Sequence, residues 1–278
     1  SIDGGTGSDT FVGTGALTAA NIEGAGTGTS TGVVVNLGAT TLTNAGVLGA
    51  VSQNLSGGLT GVASGQVSYL FNGELGTNSA TVDTLTSIEN VTLADGINYV
   101  VGSDVANVII GGTGADTIVA GNGADTVDAG TGNDTITLTE TAANSAVDAV
   151  IQGDSDSTAP SAKTTADAGN FAANDTLTFG NGVDVIYGFT AGKDTIDVTT
   201  AGAAITAIGV AENALTANKT LFLSGDFVLA TGVFTIKADG AGADTLIFDT
   251  ADTDIMANDN AIVLVGVDSA DLVAGTFV

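Results

Sequence analysis

A nine-residue periodicity between residues 102 and 137 limits what this chain can fold into more than any other feature. Four contiguous units follow one another there: GSDVANVII, GGTGADTIV, AGNGADTVD and AGTGNDTIT. Their sixth positions are an amide or a carboxylate (Asn107, Asp116, Asp125 and Asp134), and their eighth positions are branched apolar residues (Ile109, Ile118, Val127 and Ile136). Glycine and one acid suit a tight turn, and a branched apolar residue between smaller ones suits a short strand. Repeated turn and strand, without insertions, predict a solenoid.

Stacking such turns brings carboxylates together. Equivalent Asp side chains on successive layers would lie about 5 Å apart, and at an effective dielectric near 20 two of them repel by roughly 3 kcal/mol. A cation between the layers removes this repulsion. A hard cation such as Ca²⁺ accepts Asp carboxylates and turn carbonyls, and the chain has no His or Cys for softer metals. The alternative is a metal-free solenoid whose Asp residues only cap turns.

These units resemble the repeat-in-toxin (RTX) family, whose GGxGxDxUx repeat forms a calcium-binding parallel β-structure. The resemblance implies an all-β fold: a parallel β-roll or β-helix with calcium-binding turns, followed by a C-terminal β-roll or β-sandwich-like cap. It also implies that each unit stacks on the second unit along the chain, so that Asp116 pairs with Asp134 and Asn107 pairs with Asp125. The turn glycines that complete the predicted calcium sites are Gly112, Gly114, Gly121, Gly123, Gly130 and Gly132.

Further copies of the motif lie outside this block. Residues 4–12 form one unit with Asp9 at position six, and turns upstream of Ser1 are candidates for its stacking partner. After residue 169, degenerate copies of the repeat place Asp184 and Asp194 at position six, and we predict calcium binding at both. A weaker copy places Asp244 at position six. Residues 83–92 resemble the lead-in that precedes RTX repeat blocks, and residues 93–101 keep the nine-residue phase without the glycines; both are expected to form degenerate coils held by apolar residues instead of ions.

The motif copies predict four regions: a β-rich solenoid with one RTX unit (1–101), the RTX β-roll (102–137), a linker or surface loop (138–169) and a C-terminal secretion domain (170–278). Within the loop, Asp154 and Asp156 are weaker calcium candidates. Strands are expected at 32–37, 66–71, 221–223, 227–229, 233–236 and 262–267, and a short helix at 212–217.

The negative net charge limits the classes of molecule that the chain can bind. The chain has 31 acidic residues, four lysines and no arginine, for a net charge of −27, and the first 162 residues contain no positive side chain. Nucleic acid is therefore excluded as a partner, because phosphate binding needs Lys and Arg. No apolar run is long enough for a transmembrane segment. The absence of a histidine general base, a Cys nucleophile and a zinc or phosphate-binding motif predicts that this stretch is not an enzyme.

The RTX resemblance and the composition predict an extracellular protein of the bacterial cell surface. The acidic, apolar C-terminus (AIVLVGVDSADLVAGTFV) resembles the segment that RTX proteins present to the type I secretion machinery. The Thr-, Ala-, Gly- and Asp-rich sequence resembles RTX-type S-layer proteins, for which self-association into a lattice or matrix is expected and a polysaccharide anchor is an open question. The alternative is the secretion and folding module of a larger exoenzyme, toxin or adhesin, with residues upstream of Ser1 deciding between them.

Overall fold

A computed structural model describes residues 1–13, 30–43, 46, 54–55, 59–71, 82–138, 140–141, 146–153, 156–157, 161–163, 171–179, 183–198, 206–207, 219–238, 240–250, 260–273 and 275–278. These residues form two compact units: residues 1–130 with 138–146, and residues 131–137 with 147–278. The predicted helix at 212–217 and the predicted calcium candidate Asp154 lie outside the described residues.

The described part of the first unit consists of short strands: β1 (Ile2–Asp3), β2 (Thr10–Val12), β3 (Ser30–Asn36), β4 (Leu42–Thr43), β5 (Asn54–Leu55), β6 (Gly61–Val62), β7 (Gln66–Phe71), β8 (Asp83–Thr86), β9 (Asn90–Thr92), β10 (Tyr99–Val101), β11 (Val108–Ile110), β12 (Thr117–Val119) and β13 (Thr126–Asp128). The predicted strands at 32–37 and 66–71 correspond to β3 and β7.

The repeat strands of this unit stack in parallel, two units apart. Strand β10 pairs with β12 so that Tyr99 faces Thr117, and β11 pairs with β13 so that Val108 faces Thr126. Each coil therefore contains two turns and two strands, and alternate strands belong to two different sheets. The all-β, parallel fold predicted from the nine-residue period is confirmed.

The core between these two sheets is built from the eighth position of each unit. Ile109, Ile118 and Val127 are all fully buried, as are Val91 and Val100 in the two units before the RTX block. Neighbouring seventh- and ninth-position side chains are half-buried or exposed, because alternate residues of a strand point to opposite faces. Burying each such Val or Ile contributes about 1.5–3 kcal/mol before entropy is subtracted.

Residues before the RTX block extend the same sheets. Strand β3 pairs in parallel with β10 and antiparallel with β7, and β2 pairs in parallel with β9, so that Phe11 faces Val91. The N-terminal repeat unit is thus stacked on a partner within the chain, residues 84–92. Stacking on turns upstream of Ser1 stays a prediction.

The described part of the second unit contains β14 (Thr135–Thr137), β15 (Ala149–Gln152), β16 (Ala162–Lys163), β17 (Thr176–Thr178), β18 (Asp184–Tyr187), β19 (Thr195–Val198), β20 (Thr206–Ala207), β21 (Lys219–Val228), β22 (Val233–Ile236), β23 (Asp244–Thr250), β24 (Asn260–Val265) and a 3₁₀ helix (Ser269–Asp271). Strand β21 joins the two strands predicted at 221–223 and 227–229, and β22 and β24 match the other two. The prediction of a linker or loop is wrong for residues 149–152, which form β15; the boundaries at 101, 137 and 169 stay predictions.

This unit combines parallel coils with an antiparallel sheet. Strand β14 pairs in parallel with β18, and β15 pairs in parallel with β19. Strand β18 also pairs in parallel with β24, beyond which β23, β21, β22 and β17 continue as antiparallel neighbours. Its core is aromatic and aliphatic, with Phe171, Phe234 and Phe248 among the buried side chains. The described residues include no helix of the length and hydropathy that a membrane crossing requires.

Candidate metal centre

The six glycines predicted to complete the calcium turns share one backbone feature. Each has a positive φ, a conformation that side-chain-bearing residues rarely adopt. The values are 104° and 125° for Gly112 and Gly114, 106° and 120° for Gly121 and Gly123, and 83° and 152° for Gly130 and Gly132. These residues occupy the second and fourth positions of their units, so the sequence pattern arises from the geometry of the turn.

The glycines also let the turns stack at close range. A Cβ placed on Gly112, Gly114 or Gly130 would overlap a carbonyl group of the turn two units earlier, at Ala94, Gly96 or Gly112 respectively. Backbone hydrogen bonds link the same layers, for example from the Asn122 N–H to the Ser103 carbonyl over 3.0 Å. Carbonyl oxygens are therefore concentrated along the stacked turns, and such oxygens are ligands that Ca²⁺ accepts.

The sixth-position side chains lie inside this stack. Asn107, Asp116 and Asp125 are each only 1% exposed. The Asp125 Oδ1 atom accepts from the Asn107 backbone N–H at 2.8 Å, and the Asp116 Oδ1 atom accepts from the Asn98 N–H at 2.7 Å. The structure thus brings Asn107 and Asp125 together as the repeat predicts. The predicted Asp116–Asp134 pair joins residues of different units and stays a prediction.

Burial makes ionisation of these carboxylates unfavourable. Removal from water raises the pKa of Asp116 to about 8, although the backbone and side-chain hydrogen bonds from Asn98 oppose the shift. A positive charge nearby would restore the ionised form. The first unit contains no Lys or Arg to supply it, so the charge must come from solution.

Asn107 differs from its acidic counterparts in how it is held. Its Oδ1 atom accepts from the Ser103 N–H at 2.7 Å, and its Nδ2 atom donates to the Glu89 carbonyl at 2.5 Å. A neutral amide can make this bridge without a cation. The role of Asn107 and Asp125 in binding calcium stays a prediction.

The N-terminal unit contributes a buried carboxylate atom. The Oδ2 atom of Asp9 is buried and accepts no hydrogen bond within the described part of the chain. The Asp9 backbone N–H donates to the Glu89 carboxylate at 2.9 Å, and Glu89 occupies position six of residues 84–92 when the period is extended backwards. Two acids 80 residues apart in sequence are thus neighbours, an arrangement that favours a cation.

The second unit repeats the sixth-position contact across a long insertion. The Asp134 N–H donates to Asp184 Oδ1 at 2.9 Å, although these residues are 50 apart in sequence. The Gln152 side chain donates to Asp184 Oδ2 at 2.9 Å. Burial, and secondarily the charge of Asp134, raises the pKa of Asp184 well above its usual range. The two Asp184 oxygens therefore each accept a hydrogen bond from the protein.

Asp194 is held in the same manner. Its Oδ1 atom accepts from the Asp148 N–H at 3.0 Å and its Oδ2 atom from the Thr190 N–H at 2.7 Å. Both oxygens of Asp184 and of Asp194 therefore have protein donors, as expected for carboxylates that cap turns. Their predicted role in binding calcium stays a prediction.

Several residues of these stacks were not predicted from the sequence. Glu89 and Asn98 occupy position six of the two units before residue 102, and Ser87 adopts a φ of 51° where other units have glycine. Extending the nine-residue count backwards would have found all three. Asp148 and Gln152 had no such signal, because residues 138–147, which precede them, interrupt the period.

The donor set fits calcium in the first unit. Two buried acids, an Asp9 oxygen without a hydrogen-bond partner in the described residues, and stacked turn carbonyls are the oxygen ligands that Ca²⁺ takes. Within the described ranges no three acidic side chains form a cage by themselves. Backbone carbonyls would therefore supply the remaining ligands.

Comparison with known proteins identifies the repeat. A family model for the RTX calcium-binding nonapeptide repeat matches residues 101–136 as four copies. Because these repeats bind calcium, the predicted cofactor is confirmed. Among solved structures, the chain is similar to the AlgE6R3 subunit of the Azotobacter vinelandii mannuronan C5-epimerase, with 21% identity, 65% of this chain and 76% of that chain covered, and a TM-score of 0.39. No curated protein matches.

Proposed function

Residues 101–136 belong to the RTX calcium-binding nonapeptide repeat family, and from this premise we propose that the chain is part of a secreted structural protein of the bacterial cell surface. It would serve as an S-layer or extracellular-matrix subunit that is exported through type I secretion machinery and folded by external calcium. The observation that carries the proposal is the stack of buried acids in a unit without a single Lys or Arg.

Calcium binding links the folding of this stack to export from the cell. In the cytosol, free calcium lies far below the 10⁻⁴ to 10⁻³ M at which extracellular modules typically bind it. An acidic, glycine-rich coil then lacks the charge that its buried carboxylates need and stays largely unfolded. Outside the cell, ion binding supplies the folding free energy, because the unfolded chain has no preformed site.

The architecture before the RTX block supports a structural role. Strands β3 and β7 add to the sheet of the repeat strands, and β2 and β9 add to the opposite sheet of the coil. These four strands thus lengthen the sheets of the coil. We propose that its length serves to connect neighbouring copies through a lattice or matrix.

Electron microscopy tests the proposal directly. The chain is purified in chelator and dialysed into millimolar calcium, with magnesium as the control and negative-stain images as the readout. Sheets or regular arrays that form only with calcium would support a self-assembling surface protein. Dispersed compact particles in calcium would contradict it and favour the alternative, a secretion and folding module of a larger exoenzyme, toxin or adhesin.

A further inference from the structure

The outer edge of strand β19 is covered by a short strap, defined as residues 276–278. Within it, Phe277 pairs in parallel with Ile196 of β19. The Ile196 N–H donates to the Thr276 carbonyl at 2.7 Å, and the Val278 N–H donates to the Ile196 carbonyl at 3.1 Å. Thr276 is fully buried and Phe277 is 8% exposed. The strap therefore occupies the place of a further parallel strand.

The strap has the same sequence as strand β2. Residues 276–278 and residues 10–12 both read Thr-Phe-Val. The central side chain of β2, Phe11, is buried like its counterpart in the strap. Strand β2 also pairs in parallel with its neighbour, with Phe11 opposite Val91. The same tripeptide thus occurs at two places in the chain, and each copy lies against a parallel strand of a coil.

The outer edge of β2 is open with respect to the described strands, among which β9 is its only partner. The Gly13 N–H donates to the Thr92 carbonyl of β9 at 2.9 Å. Because the N–H groups of successive strand residues point to opposite sides, the Val12 N–H points away from β9. Val12 is 64% exposed. In the strap, the equivalent N–H, that of Val278, is the one that donates to Ile196.

The turn before β2 has room for a further layer. A Cβ on Gly112 would overlap the turn two units earlier. Gly5 occupies the same position of its unit and has a similar φ of 91°, yet a Cβ there would meet no atom within 4 Å. A strand and turn from another molecule can therefore stack on this side of residues 4–12 without a collision.

We propose that the edge of β19 is a docking site for strand β2 of a second copy of this chain, and that the strap keeps this site closed. Because β2 and the strap have the same sequence and both pair in parallel, β2 of the second copy can make the same two backbone hydrogen bonds to Ile196.

The contact joins two different surfaces, so it would add copies head to tail instead of closing a dimer. Unpaired strand edges invite such pairing, and a covering segment prevents it. The intact chain is not expected to associate through β19. The proposal is therefore independent of whether the intact chain forms a lattice through other surfaces.

The test opens the β19 edge in two ways, by deletion of residues 276–278 and by Phe277→Gly, which keeps the chain length. Sedimentation velocity in calcium compares both variants with the intact chain over a range of protein concentrations. In each opened variant, Val12→Pro removes the outward N–H of β2, and Val12→Ala, which keeps that N–H, is the matched control. Circular dichroism in calcium checks that each variant is folded.

A labelled peptide of residues 4–12 probes the β19 edge separately, with fluorescence anisotropy as the readout. We expect the opened variants to form oligomers larger than dimers, which Val12→Pro abolishes and Val12→Ala retains. The peptide should bind the opened variants about tenfold or more tighter than the intact chain, and an excess of it should shorten the oligomers.

Three results would overturn the proposal. The first is that folded opened variants sediment as the intact chain does. The second is that Val12→Pro and Val12→Ala associate equally in the opened variants. The third is that the peptide binds the opened variants and the intact chain with equal affinity.

Discussion

Replacing Gly114 by alanine should reveal how tightly the turns of the coil stack. Gly114 has a φ of 125°, and a Cβ there would overlap the carbonyl of Gly96 in the turn two units earlier. Gly7 is its matched control: it occupies the same position of its repeat unit and has a φ of 127°, and a Cβ added there would meet no atom within 4 Å. The two substitutions therefore share the backbone strain, and only Gly114→Ala adds a collision.

The magnitudes follow from this comparison. Backbone strain costs about 1–3 kcal/mol in either variant. Overpacking against a neighbouring backbone adds about 1–3 kcal/mol at Gly114 alone. With a urea dependence of about 2 kcal/mol per molar, the unfolding midpoint of Gly114→Ala should lie roughly 0.5–1.5 M below that of Gly7→Ala.

The assay is urea unfolding of both variants in saturating calcium, followed by far-UV circular dichroism. Both variants replace a glycine by alanine at the fourth position of a repeat unit with nearly the same φ. The difference between their unfolding midpoints therefore isolates the contact between stacked turns. Equal midpoints would show that the Gly96 and Gly114 turns do not touch as described, and the reasoning would fail at the level of the coil.

Three further predictions concern the carboxylates. In chelator, the raised pKa of Asp116 makes its contribution to stability fully present below pH 4 and lost as pH rises through about 8. Far-UV circular dichroism in chelator should therefore show more folded coil at pH 5 than at pH 8, and the opposite order would contradict this reasoning. In calcium the order should reverse, because protons compete with the ion. Asp116→Asn should weaken calcium binding, measured by calorimetry, about tenfold or more. The control Asp95→Asn should leave calcium binding unchanged, because Asp95 is exposed and accepts a hydrogen bond from Thr113. Equal effects of the two substitutions would show that Asp116 is not a calcium ligand. Gln152→Ala should destabilise the chain by about 1–3 kcal/mol in chelator, as judged by thermal melting, since Asp184 loses a buried donor, and an unchanged melting temperature would contradict this role.

Local repetition made most of the coil predictable. A glycine at positions two and four fixes the turn, and a branched residue at position eight fixes the buried face, while the 18-residue register is what the RTX resemblance implies. The Asn107–Asp125 contact was predictable for the same reason. Each of these features depends on residues that lie close in sequence.

Contacts that depend on long insertions were not predictable. Asp134 and Asp184 are 50 residues apart; the motif copy around Asp184 was recognised, but the sequence did not indicate that it stacks on the turn of Asp134. The stacking partner of the N-terminal repeat unit, residues 4–12, was not predicted for a related reason. Residues 84–92 have Ser87 where glycine is usual and Glu89 where aspartate is usual. Ser87 nevertheless adopts a positive φ of 51°. Nor did the sequence indicate that Gln152 would donate a hydrogen bond to Asp184.

The central claim is that calcium folds the coil of the first unit, and hydrogen exchange measured by mass spectrometry tests it most directly. Peptides covering residues 102–130 would be compared in chelator, magnesium and calcium at neutral pH, with peptides covering residues 184–198 as the internal reference. We predict that the amides of 102–130 are protected only in calcium, because there the buried acids lack any protein cation. Equal protection of residues 102–130 in chelator and in calcium would contradict the account.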